Sequence, residues 1–289
     1  MIRDLDAAGL PAARAFLEAH AESSLFLLSN LAQFGPSLGD HLSSGNFKVI
    51  EEGGTIVGAF CLTKRGNLLA QTGNRTYLAP DILKSCLREP HPIQAVVAEW
   101  TIADALWRLL TANPSFRSVH AKKEVLYRLD LETAALPPAD PRVRRLTPSD
   151  FDAWHPLIES FMSEAGLPLQ GTPDQRRAAF LTQASAGHWW GAFDGPALVS
   201  TASLNAVYSF IGQVGGVFTP PSLRRRGLSR LTMSTLLRDA STFHRLRLLT
   251  LFTGDDNVAA RTMYESLGFR DIGRFGLLFG SWSFDKRSI

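Results

Sequence analysis

Six consecutive residues in the C-terminal half have the types and order needed to bind a phosphorylated ligand. Arg224-Arg225-Arg226-Gly227-Leu228-Ser229 follows an apolar stretch typical of a strand and precedes a helical pattern that runs to about Phe243. The N–H groups at a helix N-terminus attract anions, and a glycine there lets a phosphate approach the backbone closely. Arginine adds charge-assisted hydrogen bonds to phosphate oxygens. The segment therefore predicts a phosphate or pyrophosphate pocket, although a basic helix start with a chance glycine would show the same pattern.

A second segment has the residues of a short helix that could donate a proton. It reads Asn257-Val-Ala-Ala-Arg-Thr-Met-Tyr-Glu-Ser-Leu-Gly-Phe269, with asparagine as a good N-cap and Gly268 as a good stop. Tyr264 follows Asn257 by seven residues, about two helical turns, so both side chains can face one side. A phenol has a pKa of about 10, so it can protonate a departing thiolate at neutral pH.

Together the two segments resemble the two signatures of the GNAT acyltransferase superfamily, over about residues 213–269. The first is similar to its Arg/Gln-x-x-Gly-x-Gly/Ala loop, with Ser229 departing at the last position. The second is similar to its Asn-x-x-Ala-x-x-x-Tyr-x-x-x-Gly-Phe helix. The resemblance implies acetyl-CoA as co-substrate, no metal, and an N-acetyltransferase in which an amine attacks directly within a ternary complex.

The resemblance also implies residue roles. The strand before the loop would offer backbone groups to the pantetheine arm, and an N–H near Val217 or Phe218 would meet the developing oxyanion. Tyr264 would lie beside the thioester sulfur as the catalytic proton donor; its alternative role is an aromatic packed on the sheet. Asn257 would contact the cofactor as well as cap its helix. The expected cofactor-binding residues are Val217, Phe218, Thr219, Arg224, Arg225, Arg226, Gly227, Leu228, Ser229 and Asn257.

The sequence does not identify the general base. Many members of the superfamily use a glutamate on the strand before the loop, but no Asp or Glu lies between Asn205 and Arg238. Glu164, His188 and Tyr208 are the remaining candidates, each with a plausible structural role, and a route through bulk water is equally reasonable.

Acceptor specificity is expected from two segments. Phe161–Gln175 contains glycines and a proline that indicate a loop over the site, and a hairpin is expected near Asp271–Phe275. Trp189 and Trp190 could line an apolar acceptor pocket, but adjacent tryptophans in a strand are more often part of the core. The predicted acceptor is a small molecule or amino-acid-like compound with a primary amine.

Composition indicates a globular protein with an uneven charge distribution. The 289 residues are 45% hydrophobic, with two cysteines and a net charge of +3. Residues 141–289 carry the basic excess, much of it between Arg224 and Arg247. The charged start lacks a signal-peptide core, no apolar run approaches the roughly 20 residues of a membrane span, and two cysteines make no disulfide framework. A cytoplasmic protein with no membrane partner is therefore expected.

Three prolines within Ala134–Pro141 indicate a linker. The predicted fold class is α/β (α+β), with two GNAT-like domains, each a mixed, mostly antiparallel sheet flanked by helices. The expected limits are 1–133 for the N-terminal domain, 134–141 for the linker and 142–289 for the catalytic domain. At the loop position the N-terminal half has Asn74-Arg-Thr-Tyr-Leu-Ala-Pro, which lacks the phosphate-loop pattern. This half is interpreted as a degenerate duplicate that has lost the cofactor site, with an unrelated α/β cap as the alternative.

Two other functions compete with amine acetylation. An aminoacyl-tRNA-dependent transferase would use the Arg224–Arg247 cluster as a nucleic-acid footprint, but an intact pyrophosphate loop argues against this. A catalytically silent CoA-binding module is compatible with the missing carboxylate base, but the retained Tyr264 argues against it. Nucleic acid is not expected as a partner, and homodimerisation is left open.

Overall fold

The computed structural model describes residues 1–169 and 171–283. The chain separates into two compact units, and each combines more than one stretch of sequence. Unit 1 contains Met1–Leu126, Phe252–Asp256 and the described residues from Ile272 onward, whereas unit 2 contains Tyr127–Leu251 and Asn257–Asp271. Residues 134–141 contain no helix or strand. The domain limits at 133 and 142 stay a prediction.

The elements follow one another along the chain as alternating strands and helices. The first part of the chain contains β1 (Ile2–Asp4), α1 (Leu10–Glu18), α2 (Ala21–Phe34), β2 (Gly45–Glu52), β3 (Thr55–Thr63), β4 (Asn67–Gln71), α3 (Ala79–Cys86), β5 (Ala95–Glu99), α4 (Trp100–Thr111) and β6 (Phe116–Asp130). The second part contains β7 (Val143–Arg145), α5 (Phe151–Ala165), α6 (Pro173–Ser185), β8 (Trp189–Asp194), β9 (Ala197–Tyr208), β10 (Ile211–Phe218), α7 (Leu228–Thr242), β11 (Leu248–Gly254), α8 (Val258–Ser266) and β12 (Arg270–Trp282).

Unit 1 has its strands in the order β1-β2-β3-β4-β5-β12-β6. Its pairs β1–β2, β2–β3, β3–β4 and β5–β12 are antiparallel, whereas β4 and β5 run parallel, with Asn67–Ala70 opposite Ala95–Ala98. Side chains of these strands and of α3 and α4 form one apolar core. A parallel pair needs a crossover connection, and here α3 supplies it.

Unit 2 has its strands in the order β6-β11-β10-β9-β8-β7. The pairs β7–β8, β8–β9 and β9–β10 are antiparallel, whereas β10 and β11 are parallel and α7 connects them. Successive strand residues point to opposite faces, so Trp189 and Trp190 separate the two layers of helices. Trp190 Nε1 donates to Asp239 of α7 at 2.9 Å, and Trp189 packs with Trp154 of α5 and Phe180 of α6.

Each unit is thus a mixed, mostly antiparallel sheet flanked by helices, which confirms the predicted fold class. Local sequence signals also hold. Thr172 forms the predicted capping box with Gln175, and the hairpin glycines Gly53, Gly54 and Gly195 all have positive φ. None of the helices within the described residues is both long enough and apolar enough to cross a membrane.

Candidate functional site

The end of β10 is irregular where it approaches the predicted phosphate loop. Its register with β9 shifts between Gln213 and Val214 and again between Gly215 and Phe218. Gly216 adopts a φ of 57° within this stretch, a left-handed conformation that favours glycine. Such a bulge leaves backbone groups outside the ladder and bends the strand. Residues 215–217 are half-exposed, whereas their neighbours are buried, so the bulge is the accessible part of β10.

Buried hydroxyls of β9 satisfy the carbonyls of this bulge. The bonds, each 3.0 Å long, run from Ser203 to Gly215, from Thr201 to Gly216 and from Ser200 to Phe218. On its other edge β10 pairs with β11 only over Ile211–Gln213. The carbonyls of the bulge are therefore occupied from the β9 side, which leaves N–H groups as the donors that the bulge can offer to a ligand.

The loop after β10 has the backbone shape of an anion site. Arg225 and Gly227 have left-handed φ values of 62° and 73°, and Gly227 is the N-cap of α7. The first intrahelical bond runs from Leu231 N to Gly227 O at 3.0 Å, so the earlier N–H groups of the helix have no intrahelical acceptor. A Cβ added to Gly227 would have no atom within 4 Å, so the space beside its backbone is open. These features fit a bound phosphate.

The three arginines of the loop have different surroundings. Arg224 forms an ion pair with Glu164 of α5 at 2.5 Å, and its Nε donates to the carbonyl of Thr219 at 3.0 Å. Within the part of the chain that the structure describes, Arg225 and Arg226 have no salt-bridge partner, and both are exposed. Arg224 therefore fastens the loop to α5, whereas Arg225 and Arg226 are available to an anion.

Ser229 departs from the family pattern but fits the local structure. Its hydroxyl lies 2.7 Å from that of Thr219, which in turn donates to Ser200 at 2.9 Å. Thr219 and Ser200 are buried, so this chain of hydroxyls ties β9, the end of β10 and the first turn of α7 together. The serine side chain is thus held against the strand end by hydrogen bonding.

The helix with the second signature lies beside the start of α7. Asn257 caps α8 as predicted, accepting from Ala260 N at 3.3 Å, and Arg230 of α7 donates to the hydroxyl of Ser266. Tyr264 is 6% exposed, and its ring packs against Tyr127 and Phe269 with centroid distances of 6.3 and 6.0 Å. The structure therefore brings the loop and α8 together within unit 2, and the roles of these residues stay predictions.

Sequence reasoning missed the residue that supports α8 from the sheet. Tyr127 of β6 is fully buried; its hydroxyl donates to Glu265 at 2.6 Å and accepts from Arg261 Nε at 3.1 Å. The only sequence signal was an aromatic residue in a predicted strand, and its partners lie more than 130 positions away. These contacts hold the helix face that carries Tyr264 against β6.

Two of the three candidate bases lie far from the loop. His188 packs against His244 at a centroid distance of 5.1 Å, and His244 follows the C-terminal end of the 15-residue α7, about 22 Å from its start. Tyr208 pairs with Ile211 at the start of β10, whereas the loop follows the end of that eight-residue strand, about 23 Å away. Glu164 is the one of the three that contacts the loop, through Arg224.

The buried position of His188 has a consequence for stability. Burial, together with the nearby His244, lowers the pKa of His188 from 6.5 to about 4. Between these values the unfolded chain binds a proton that the folded protein does not, so the free energy of unfolding should fall as pH drops from about 6.5 towards 4. We expect His188→Gln to reduce this pH dependence in urea unfolding at about pH 7 and about pH 4.5. An unchanged pH dependence would refute this explanation.

Other predicted features lie apart from the loop. Trp189 and Trp190 are buried and hydrogen-bonded to Gln183 and Asp239, so both belong to the core. The Arg224–Arg247 cluster divides between the two ends of α7, which makes it a poor continuous footprint for nucleic acid. The described residues include no group of three or more His, Cys, Asp or Glu side chains that could hold a metal ion.

One perturbed carboxyl in unit 1 had no sequence signal. Burial raises the pKa of Glu124 on β6 to about 7; Lys122 opposes this shift, whereas Asp256 and Asp255 add to it. The charged run around Glu124 has the appearance of a solvated strand face. The burial that raises its pKa comes from the fold and could not be read from the sequence.

The fold and site define an acetyltransferase-like architecture with full-length structural relatives. These include a Drosophila protein (14% identity, 98% of this chain and 99% of that chain, TM-score 0.70) and a GCN5-related N-acetyltransferase from Sphaerobacter thermophilus (14%, 98% and 95%, 0.63). A tandem GNAT protein from the clavulanic acid biosynthesis pathway also matches (13%, 99% and 99%, 0.54). At such identities these likenesses show the fold.

The sequence itself identifies the family of the second part of the chain. Residues 154–269 match the acetyltransferase (GNAT) family, so the protein carries a GNAT acetyltransferase domain over this range. A comparison with curated proteins finds no match. The matched range includes both predicted signatures, the bulge of β10 and α8.

Proposed function

We propose that the protein is an N-acetyltransferase that moves an acetyl group from acetyl-CoA to the primary amine of a small-molecule or amino-acid-like acceptor. The observation that supports this best is the left-handed backbone at Arg225 and Gly227 directly before α7, inside a GNAT domain. Its open space and its N–H groups without intrahelical acceptors suit the pyrophosphate of CoA.

The residues around the loop divide the binding of acetyl-CoA among them. The N–H groups of Gly227, Leu228 and Ser229 and the guanidinium groups of Arg225 and Arg226 would hold the pyrophosphate. Backbone groups of Val217–Thr219 would hold the pantetheine arm, and the side chain of Asn257 would contact the cofactor. Arg224 would act by fixing the loop to Glu164. When bound, acetyl-CoA supplies an acetyl group activated as a thioester.

The chemistry left to the protein is positioning, charge stabilisation and proton transfer. The N–H groups near Val217 and Phe218 would donate to the carbonyl oxygen as it gains negative charge, because β9 hydroxyls already occupy the neighbouring carbonyls. The hydroxyl of Tyr264 would hold the proton that the departing sulfur takes. Since Glu164 is ion-paired with Arg224, we assign the proton lost by the amine to bulk water.

A thiol-release assay with acetyl-CoA tests this function. The purified full-length protein would be mixed with a panel of amines, amino acids and aminothiols. The proposal predicts thiol release that depends on the acceptor, with an acetylated amine as the product found by mass spectrometry. Release no faster than spontaneous hydrolysis for every acceptor would contradict it.

The loop arginines should contribute unequally to cofactor affinity. We expect Arg225→Ala and Arg226→Ala each to weaken acetyl-CoA binding roughly fivefold to tenfold, with a smaller loss at high salt because exposed charges are screened. Arg224→Ala removes contacts to Glu164 and Thr219, so it should also lower the melting temperature. Calorimetric titrations at two salt concentrations measure the difference. Equal, salt-independent losses in all three variants would contradict this division of roles.

A further inference from the structure

Asn205 of β9 lies on the face of unit 2 that carries α5 and α6. In the ladders, Ser203 lies directly opposite both Trp189 of β8 and Gly215 of β10. Trp189 packs into the cluster that includes Trp154 and Phe180, which fixes this face as the one covered by α5 and α6. Because strand side chains alternate, Asn205 shares the face of Ser203, and it is exposed there.

The carboxamide of Asn205 lies over the bulge of β10. A Cβ added to Gly215 would lie 2.0 Å from Asn205 Nδ2, so only glycine leaves room for the amide against the strand. At the next position, a Cβ on Gly216 would meet the Trp189 ring at 2.7 Å. The two glycines thus let side chains from β8 and β9 close around the accessible part of β10.

A hydrogen bond fixes the orientation of this carboxamide. Ser203 Oγ donates to Asn205 Oδ1 at 2.8 Å, so the oxygen faces the buried serine. Within the described residues, the N–H groups of Asn205 Nδ2 have no acceptor, although the side chain is exposed beside the bulge. A pair of outward-facing N–H donors is suited to an oxygen of a ligand, best of all a carboxylate, and disfavours a bare ammonium group.

We infer that Asn205 binds the carboxylate of the acceptor, which makes amino acids and related compounds with a carboxylate near the amine the preferred substrates. This inference rests on the proposed acetyltransferase function. Asn205 lies on the face of α5 and α6, and the segment between these helices is where we expect acceptor specificity. It also contacts the strand whose N–H groups are proposed to stabilise the reacting carbonyl.

The test compares amino acids with amines that lack only the carboxylate, such as leucine with isoamylamine and phenylalanine with phenethylamine. The key variant is Asn205→Asp, which keeps the size of the side chain and the oxygen that accepts from Ser203, but replaces the outward N–H groups with a negatively charged oxygen. Asn113→Asp adds the same charge at an exposed asparagine of unit 1 and serves as the control. Steady-state kinetics at saturating acetyl-CoA would measure kcat/KM for each acceptor.

The wild type should prefer amino acids to their matched amines. Asn205→Asp should lower kcat/KM for amino acids roughly tenfold or more, because it replaces a charge-assisted hydrogen bond with repulsion, and leave the amines and the KM for acetyl-CoA unchanged. The control should keep the wild-type preference. A wild-type preference for the amines, or an unchanged ratio in Asn205→Asp, would overturn the inference alone. A wild type inactive with every acceptor would overturn the proposed function together with it.

Discussion

Replacing Gly227 with glutamate is expected to abolish acetyl-CoA binding. The glycine has a φ of 73° and open space beside it, so the new side chain would fill the space proposed for the pyrophosphate. Its carboxylate would satisfy the N–H groups at the start of α7 and repel a second anion. Calorimetric titration of the full-length variant should show an affinity at least about 100-fold below that of the wild type.

Gly195→Glu is the matched control for this variant. Gly195 has a φ of 56°, also has no atom within 4 Å of an added Cβ, and lies in the turn between β8 and β9. It therefore introduces similar backbone strain and the same charge away from the loop. We expect Gly195→Glu to bind acetyl-CoA normally. Normal binding by Gly227→Glu, or an equal loss in both variants, would refute the loop as the cofactor site.

Replacing Tyr264 with phenylalanine is expected to lower turnover about 100-fold or more while sparing affinity for acetyl-CoA. The ring contacts with Tyr127 and Phe269 survive this change, and only the hydroxyl is lost. General acid catalysis commonly contributes a rate factor of this size. The measurements are kcat at saturation with both substrates and a calorimetric titration of acetyl-CoA. Turnover equal to that of the wild type would remove Tyr264 from the mechanism.

Tyr127→Phe separates proton donation from packing. Tyr127 is a buried tyrosine beside Tyr264, but its hydroxyl is bonded to Glu265 and Arg261. Its loss should lower the melting temperature, because two polar side chains lose a partner, with a smaller effect on turnover than Tyr264→Phe. Equal losses of turnover in the two variants would instead point to the position of α8 as the cause.

Much of the fold could be predicted because its signals are local. The Thr172–Gln175 capping box, the Asn257 cap and the hairpin glycines each depend on residues within a few positions of one another. β4 was missed, since Asn67-Leu-Leu-Ala-Gln71 is short, almost wholly buried and without alternation of polar and apolar residues. A strand buried on both faces shows no periodicity that distinguishes it from a piece of buried helix.

The site could be predicted only in part, for the same reason. The loop and α8 each occupy one continuous segment, so their patterns were visible in the sequence. The pairing of Arg224 with Glu164 joins residues 60 positions apart, and the β9 hydroxyls reach the bulge of β10 across a ladder. Asn205 gave no signal, because its importance depends on the absence of a Cβ at Gly215.

Both units contain a parallel pair of strands joined through a helix, β4–β5 and β10–β11, but only the second has the arginine–glycine loop. The central claim is therefore that the chain binds acetyl-CoA at one place, the N-terminus of α7. Calorimetric titration of acetyl-CoA into the full-length wild type tests it most directly. The account predicts one molecule bound per chain; no binding, or two molecules per chain, would contradict it.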